Sequence, residues 1–358
     1  MTHFFKILCY LFLGLCIATT LFAEEATFAG KVVFLSDYYF EKAKVGGLSG
    51  ITYDAKRKLF YAIADHATGR QGQCLYTLKL VFKQNRLADV KIVSLKRLCN
   101  NENKSVTFVD TEGIAFDGRN GFWISNEGDR GMKRNPVSWV RHFNIDTAKE
   151  TNLRCILPQE FLPNDGNDPT GLHPNRGLES LAFSPDFRSL YTMNERPLYQ
   201  DGDKMLRLVK FSSKNGVMWK PEAEKPYCIE NKGIYNSVTD MTTLPDGKLL
   251  VLERSIKMPI IATGQFNFCI YEVNFKEVNV PDILGVKIVT ESKNKALTCK
   301  LIFDSAAAGL TNLDNIEGMC LGPVVGGRQS LILVADNNFS TAEETQFLML
   351  LLPQLEKK

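Results

Sequence analysis

Asp110-Thr111-Glu112-Gly113-Ile114-Ala115-Phe116-Asp117-Gly118-Arg119-Asn120-Gly121-Phe122-Trp123-Ile124-Ser125-Asn126-Glu127 is the stretch whose reading decides the fold. It is a short apolar strand opened by a carboxylate, a turn, and a second apolar strand closed by a carboxylate. Degenerate copies recur along the chain. The first runs from Leu48-Ser49-Gly50-Ile51 to Ile63-Ala64-Asp65, and the second is the stretch itself. A third runs from Leu178-Glu179-Ser180-Leu181 to Met193-Asn194-Glu195, and a fourth from Val238-Thr239-Asp240-Met241 to Leu252-Glu253. The fifth runs from Ile316-Glu317-Gly318-Met319 to Val334-Ala335-Asp336.

Each copy carries the signals of a β-hairpin, with apolar or alternating runs joined by Asp-Gly, Pro-Asp or Gly-Gly turns. The copies lie about 60 to 80 residues apart, and further strand-like runs follow them. Four strands per unit, repeated, predict an all-β fold, a β-propeller of four-stranded blades. Five blades are visible. Six are reached if Ser255 to Asn312 holds one without the signature. The last unit has one strand left after its hairpin, Thr345 to Leu352, while Lys31 to Ser36 has no partner at the N-terminus. A ring closed by that N-terminal strand uses both and protects the edges.

Upstream of the repeats, Lys6 precedes the apolar run Ile7 to Phe22, which ends at Ala23 before Glu24-Glu25. This reads as a secretory signal peptide over residues 1–23, followed by a single domain over 24–358. The expected location is therefore periplasmic or extracellular, with no integral membrane segment after cleavage. The remaining chain of about 335 residues is long enough for one large β domain. With 43 Lys and Arg against 40 Asp and Glu, and no dense basic block, nothing favours nucleic acid. Cys74, Cys99, Cys155, Cys228, Cys269, Cys299 and Cys320 lie beyond the leader, and no CxxC spacing occurs among them. Placing Cys74 and Cys99, and likewise Cys269 and Cys299, at adjoining ends of outer strands predicts two disulfides. Cys155 and Cys228 have no evident partner, and Cys320 is expected as a buried thiol.

In a hairpin, the start of strand one lies beside the end of strand two. The paired acids of every copy therefore meet at one rim: Glu112 with Glu127, Glu179 with Glu195, Asp240 with Glu253, and Glu317 with Asp336. The first copy offers Ser49 with Asp65. So many acids at one mouth need metal, arginine or protons to compensate them. Hard oxygen donors without histidine clusters suit calcium or magnesium rather than zinc. Glu112, Glu179, Asp240, Glu317 and Asp336 are the candidate metal ligands, with calcium the expected ion. Arg130, Arg176, Arg196 and Arg254 recur beside the acids and suit a small anionic or ester substrate. Glu112 and Glu179 are candidate catalytic acids. His66, next to Asp65, reads either as an acid or base at the mouth or as a surface histidine. Repeated acids also cap turns and make salt bridges between blades, and Asp165-Gly166-Asn167-Asp168 reads as a turn rather than a full calcium loop. No GxSxG elbow occurs.

Gly47-Leu48-Ser49-Gly50-Ile51, Asp110-Thr111-Glu112-Gly113-Ile114-Ala115, Gly177-Leu178-Glu179-Ser180-Leu181-Ala182, Val251-Leu252-Glu253-Arg254 and Asp336-Asn337-Asn338-Phe339 together resemble the phytase-like family, described as having esterase-like activity of phytase. The resemblance spans about residues 45 to 340. It implies an exported bacterial β-propeller that hydrolyses phosphate or other esters. Ser49 departs from the acid pattern. Two functions stay open: a metal-dependent hydrolase, or a non-catalytic propeller that binds a ligand or protein partner. A lactonase or a five-bladed glycosidase is a third reading.

Overall fold

The computed structural model describes residues 25–65, 73–107, 109–128, 138–163, 169–230, 233–256 and 266–353. The expected signal peptide lies outside them. No helix among the described residues is long and apolar enough to cross a membrane.

The chain opens with β1 (Thr27–Phe34) and a small hairpin, β2 (Tyr39–Phe40) and β3 (Ala43–Lys44). Groups of four strands follow. Group one is β4 (Leu48–Asp54), β5 (Leu59–Ala64), β6 (Cys74–Lys83) and β7 (Arg86–Arg97). Group two is β8 (Thr111–Phe116), β9 (Gly121–Asn126), β10 (Trp139–Asn144) and β11 (Glu150–Cys155). Group three is β12 (Leu178–Phe183), β13 (Leu190–Asn194), β14 (Met205–Ser212) and β15 (Met218–Cys228). Group four is β16 (Ile234–Thr243), β17 (Leu249–Ile256), β18 (Phe266–Val273) and β19 (Lys300–Asp304). The chain then forms β20 (Asn315–Val325), β21 (Arg328–Asp336) and β22 (Thr345–Leu351). β1 pairs antiparallel with β22, Phe34 opposite Thr345 and Lys31 opposite Leu348, giving the order β1-β22-β21-β20.

The first strands of neighbouring groups touch in a cycle, β4 to β8 to β12 to β16 to β20 and back to β4. The burial patterns explain the arrangement. β9 and β22 are buried along their whole length, because sheets stack on both of their faces. Outer strands such as β7 and β15 alternate between buried and exposed residues. Apolar cores fill the wedges between successive groups. Tyr61, Ile63, Phe122 and Phe143 share one, while Trp123, Leu181, Phe211 and Trp219 share the next. Burial of each such side chain contributes about 1.5 to 3 kcal/mol. At the centre, the inner strands approach so closely that a Cβ on Gly50 would stand 2.4 Å from the Glu112 carbonyl oxygen.

The span from Ser255 to Asn312, where a further blade could have been hidden, holds β18, β19 and a long loop. That loop laps over β15. The Ile283 amide donates to Glu224 O, and the Leu297 amide to Pro226 O. Buried Arg207 pins it by donating to Asp201 and Glu224 carboxylates and to the Val286 carbonyl. Groups two and three are further joined at their outer edges, where β11 and β15 pair in parallel at Arg154–Met218 and Cys155–Trp219.

The expected disulfides are not formed among the described residues. Cys74 stands opposite Arg97 in the β6–β7 ladder, two residues short of Cys99. Cys99 instead bridges to Ser105 and Lys149. Cys269 stands opposite Asp304 at the far end of β19, whereas Cys299 precedes Lys300 at its near end. Each expected pair is offset along its ladder by whole rungs of about 3.4 Å per residue, which no disulfide spans unstrained. Cys320 is the buried inner-strand thiol expected, its pKa pushed up by burial.

Candidate functional site

The opening acids sit where each inner hairpin slips by a residue. The register shifts between Leu48 and Gly50, Thr111 and Ile114, Leu178 and Ser180, Val238 and Asp240, and Ile316 and Gly318. An extra residue at a bulge leaves the ladder and re-aims its side chain. The corresponding residues are therefore Ser49, Glu112, Glu179, Thr239 and Glu317. The closing positions follow from the same ladders. Leu48 faces Ala64, Thr111 faces Asn126, Leu178 faces Asn194, and Val238 faces Glu253. One residue further come Asp65, Glu127, Glu195 and Arg254, with Asp336 in the fifth position opposite Asn315.

Group four thus departs from the expected pattern. Its acids, Asp240 and Glu253, each lie one residue off the acid positions, which are held by Thr239 and Arg254. Asp240 accepts backbone hydrogen bonds from Met241 at 2.8 Å and from Met319 at 2.6 Å, tying β16 to the neighbouring β20. Glu253 turns outward to accept from the Tyr227 hydroxyl and the Glu230 amide. The structure does not bring Asp240 together with the other candidate ligands.

Glu112, Glu127 and Glu179 do converge. They are 5%, 3% and 6% exposed, and each offers an oxygen within 4.8 Å of the others. Glu112 also belongs to a second set with Asp65 and Asp110. Burial pushes Glu112 well above its ordinary pKa, helped by repulsion from Glu179, Asp110, Glu127 and Glu317. Burial does the same to Glu179, aided by Glu127, Glu195 and Glu317 and opposed by Arg254. Glu127 is raised by burial and by Glu195 and Asp110, against a stabilising bond from the Gly177 amide. The nearby Glu179 carboxyl also helps to hold the Glu127 pKa down against burial. Two full charges 4.8 Å apart repel by about 3.5 kcal/mol at an effective dielectric of about 20. Three such pairs come to about 10 kcal/mol, comparable with a domain's whole stability. The cluster must hold protons or a cation.

A divalent cation fits this donor set. Its donors are hard carboxylate oxygens, and oxygens bound to one calcium at about 2.4 Å lie no more than about 4.8 Å apart. Glu317 is spoken for differently: the Arg254 Nη1 donates to Glu317 Oε1 at 2.6 Å and to Asn315 Oδ1 at 2.5 Å. The Arg254 Nη2 donates to Glu195 Oε1 and Ser237 Oγ, both at 3.0 Å. Asp336 caps its own turn by accepting from the Asn338 amide at 2.7 Å and belongs to neither acid set. Arg196 lies over the Tyr235 ring, and Arg176 precedes Gly177 at the start of the same hairpin. His66 and Arg130 fall outside the described residues. Asp110 was not among the sequence candidates. The signal for it was its place two residues before Glu112, on the rung where Glu127 N donates to Asp110 O.

A family described as "Phytase-like: Esterase-like activity of phytase" matches residues 43–339. Among solved structures, the chain is similar to a GH43 endo-arabinanase from Bacillus licheniformis at 10% identity, covering 88% of this chain and 96% of that one with a TM-score of 0.43. The native Bacillus subtilis arabinanase is similar at 13% identity, covering 84% and 93%, with a TM-score of 0.44. A periplasmic gluconolactonase from Pseudomonas aeruginosa is similar at 12% identity, covering 92% and 96%, with a TM-score of 0.36. No curated protein matches the chain in sequence.

Proposed function

The chain belongs to the phytase-like family, and from that premise we propose that it is an exported, five-bladed β-propeller that hydrolyses phosphate or other esters at its carboxylate mouth. The cycle of inner strands and the pairing of β1 with β22 support five blades closed by the N-terminal strand. The apolar run before Ala23 supports export to the periplasm or beyond.

The observation that carries the reading is the convergence of Glu112, Glu127 and Glu179. Three buried acids crowded this closely cost the fold stability, and such destabilised groups cluster at functional sites. Glu112, Glu127 and Glu179 would hold a divalent cation, with calcium favoured by the all-oxygen donors. When bound, that ion supplies Lewis-acid polarisation of an ester oxygen. Without the cation, the raised pKa values of these acids favour a retained proton, and such an acid donates to a leaving oxygen or, once ionised, accepts from an attacking water. Arg254 fixes Glu195 and Glu317 on the opposite side of the mouth and offsets one of their two negative charges.

The test is turnover of a panel of phosphoesters and carboxylic esters, with calcium and with chelator, by the parent protein and by Glu112→Gln and Glu179→Gln. The expected result is a loss of kcat/KM of at least 100-fold in both variants, with melting curves showing a folded protein. Undiminished activity in either variant overturns the assignment. A second reading, a non-catalytic binding propeller, draws on the closed network of Arg254 with Glu195, Glu317, Asn315 and Ser237. Calcium binding without turnover of any ester would favour it.

A further inference from the structure

One step beyond the mouth acids, group three does something the other groups do not. Leu178 faces Asn194, and the Glu195 amide then donates to Gly177 O at 2.7 Å. Arg176 and Arg196 come next on the two chain segments, close enough for Arg176 to add to burial in lowering the Arg196 pKa. The corresponding positions are Val109 and Gly128 in group two, Asn236 and Ser255 in group four, and Asp314 and Asn337 in group five. Among the described residues, only group three carries a cation at both of these positions, and like charges brought close together are destabilising. Neither arginine has an ion pair among the described residues, and the neighbouring Glu195 carboxylate is already taken by Arg254.

A second observation points to the same place. Tyr235 lies at φ 56, within a bulge of β16 between Ile234 and Ser237. A bulky residue held in the left-handed region is strained, and such strain persists where the surroundings use it. Its ring is 54% exposed, and the Arg196 guanidinium lies 5.7 Å from the ring centroid. The strained backbone therefore presents an aromatic face that fixes Arg196. His173, whose backbone bridges to Arg176, stacks on Tyr199 with ring centroids 3.5 Å apart. Burial and the two arginines hold its pKa down, so it adds no competing charge at neutral pH.

We propose that Arg176, Arg196 and Tyr235 form an oxyanion subsite on the rim, which takes a phosphate, sulfate or carboxylate group of the ligand other than the group that is cleaved. Two guanidinium forks match the paired oxygens of such a group, and Tyr235 keeps one fork in place. The half concerning a cleaved group rests on the hydrolase reading above; oxyanion binding does not.

Isothermal titration with inorganic phosphate tests it, in chelator and without divalent cation, at pH 7.5, with parallel titrations of sulfate and acetate. Arg176→Gln and Arg196→Gln should each weaken phosphate binding at least tenfold, whereas Glu112→Gln should not weaken it. Tyr235→Gly removes the ring and relaxes the backbone, so it should lower phosphate affinity severalfold while raising the melting temperature. Replacing a purely structural tyrosine would lower the melting temperature and leave phosphate affinity unchanged. Arg196→Lys, which keeps the charge, serves where Arg196→Gln fails to fold and should bind at intermediate strength. Parent-like affinity in both arginine variants overturns the proposal, as does binding that requires calcium and Glu112. Retained arginine-dependent phosphate binding in a protein that hydrolyses no ester leaves the subsite standing and removes the hydrolase reading.

Discussion

Replacing Arg254 with Met removes the cation that bonds Glu195 and Glu317 at the mouth, and the structure sets the size of the effect. Four hydrogen bonds are lost, to Asn315, Glu317, Glu195 and Ser237. The arginine side chain is 15% exposed, and its Glu195 and Glu317 partners are 8% and 12% exposed. Breaking a buried ion pair by removing one partner costs about 3 to 5 kcal/mol, and partial exposure puts this case near 3. At about 2 °C per kcal/mol for a domain of this size, the melting temperature should fall by about 6 °C at pH 7.5. The loss should also depend on pH. Burial already raises Glu179 and Glu317 above the ordinary glutamate value of 4.5, and Arg254 opposes both shifts. Without it, the folded variant holds protons that the unfolded chain releases as pH climbs past about 4.5. A folded state that binds more protons loses stability as pH rises, so the penalty should be largest at pH 7.5 and shrink towards pH 5. Differential scanning calorimetry of parent and variant across that range reads both quantities. A penalty under about 1 kcal/mol, or one that is flat with pH, refutes the placement of Arg254 as the charge partner of the mouth.

The remaining expectations use the same thermal assay or a thiol count. In chelator, the parent protein should lose stability as pH rises above about 4.5, because Glu112, Glu127 and Glu179 all have raised pKa values. Calcium should restore it at pH 7.5, have little effect at pH 5, and act weakly on Glu127→Gln. Asp240→Ala should cost about 2 to 4 kcal/mol by orphaning the Met241 and Met319 amides, yet leave the calcium shift intact. A lost calcium shift in that variant would place Asp240 among the ligands after all. Thiol titration in denaturant should find Cys74, Cys99, Cys155, Cys228, Cys269, Cys299 and Cys320 all reactive, and dithiothreitol should not lower the melting temperature. A missing pair of thiols would reinstate a disulfide.

The sheet pattern was legible because strands packed on both faces read as unbroken apolar runs, as Leu331 to Ala335 and Phe347 to Leu351 do. The meeting of Glu112 with Glu127 at one rim was legible too, since paired hairpin ends meet by geometry, but Glu127 was not among the expected ligands. What the acids alone hid was a single-residue offset. In a strand, a slip of one residue turns the side chain to the other face, so Asp240 and Glu253 are acids in name but not in position. The glycines held the missing register: Gly50, Gly113 and Gly318 mark the crowded step after each bulge, and Asp240 aligns with them rather than with Glu112. The disulfides failed for a related reason, because strand ends were matched without knowing which rungs they closed on.

That offset is also what makes the mouth workable. Had group four kept the repeat, it would have added acids at the positions of Thr239 and Arg254, beside Glu195 and Glu317, with no cation among them. By breaking the repeat once, the chain places a guanidinium where it holds two carboxylates at 2.6 and 3.0 Å. It also draws Glu179 partly back towards its charged form. Charge compensation is thus stronger beside Glu195 and Glu317 than around Glu112, Glu127 and Glu179. The less compensated side is where a cation or a proton is needed, and Arg196 of group three lies near both Arg176 and Arg254. A ring of near-identical hairpins becomes a polarised site through two departures from the repeat, Arg254 and the Arg176–Arg196 pair.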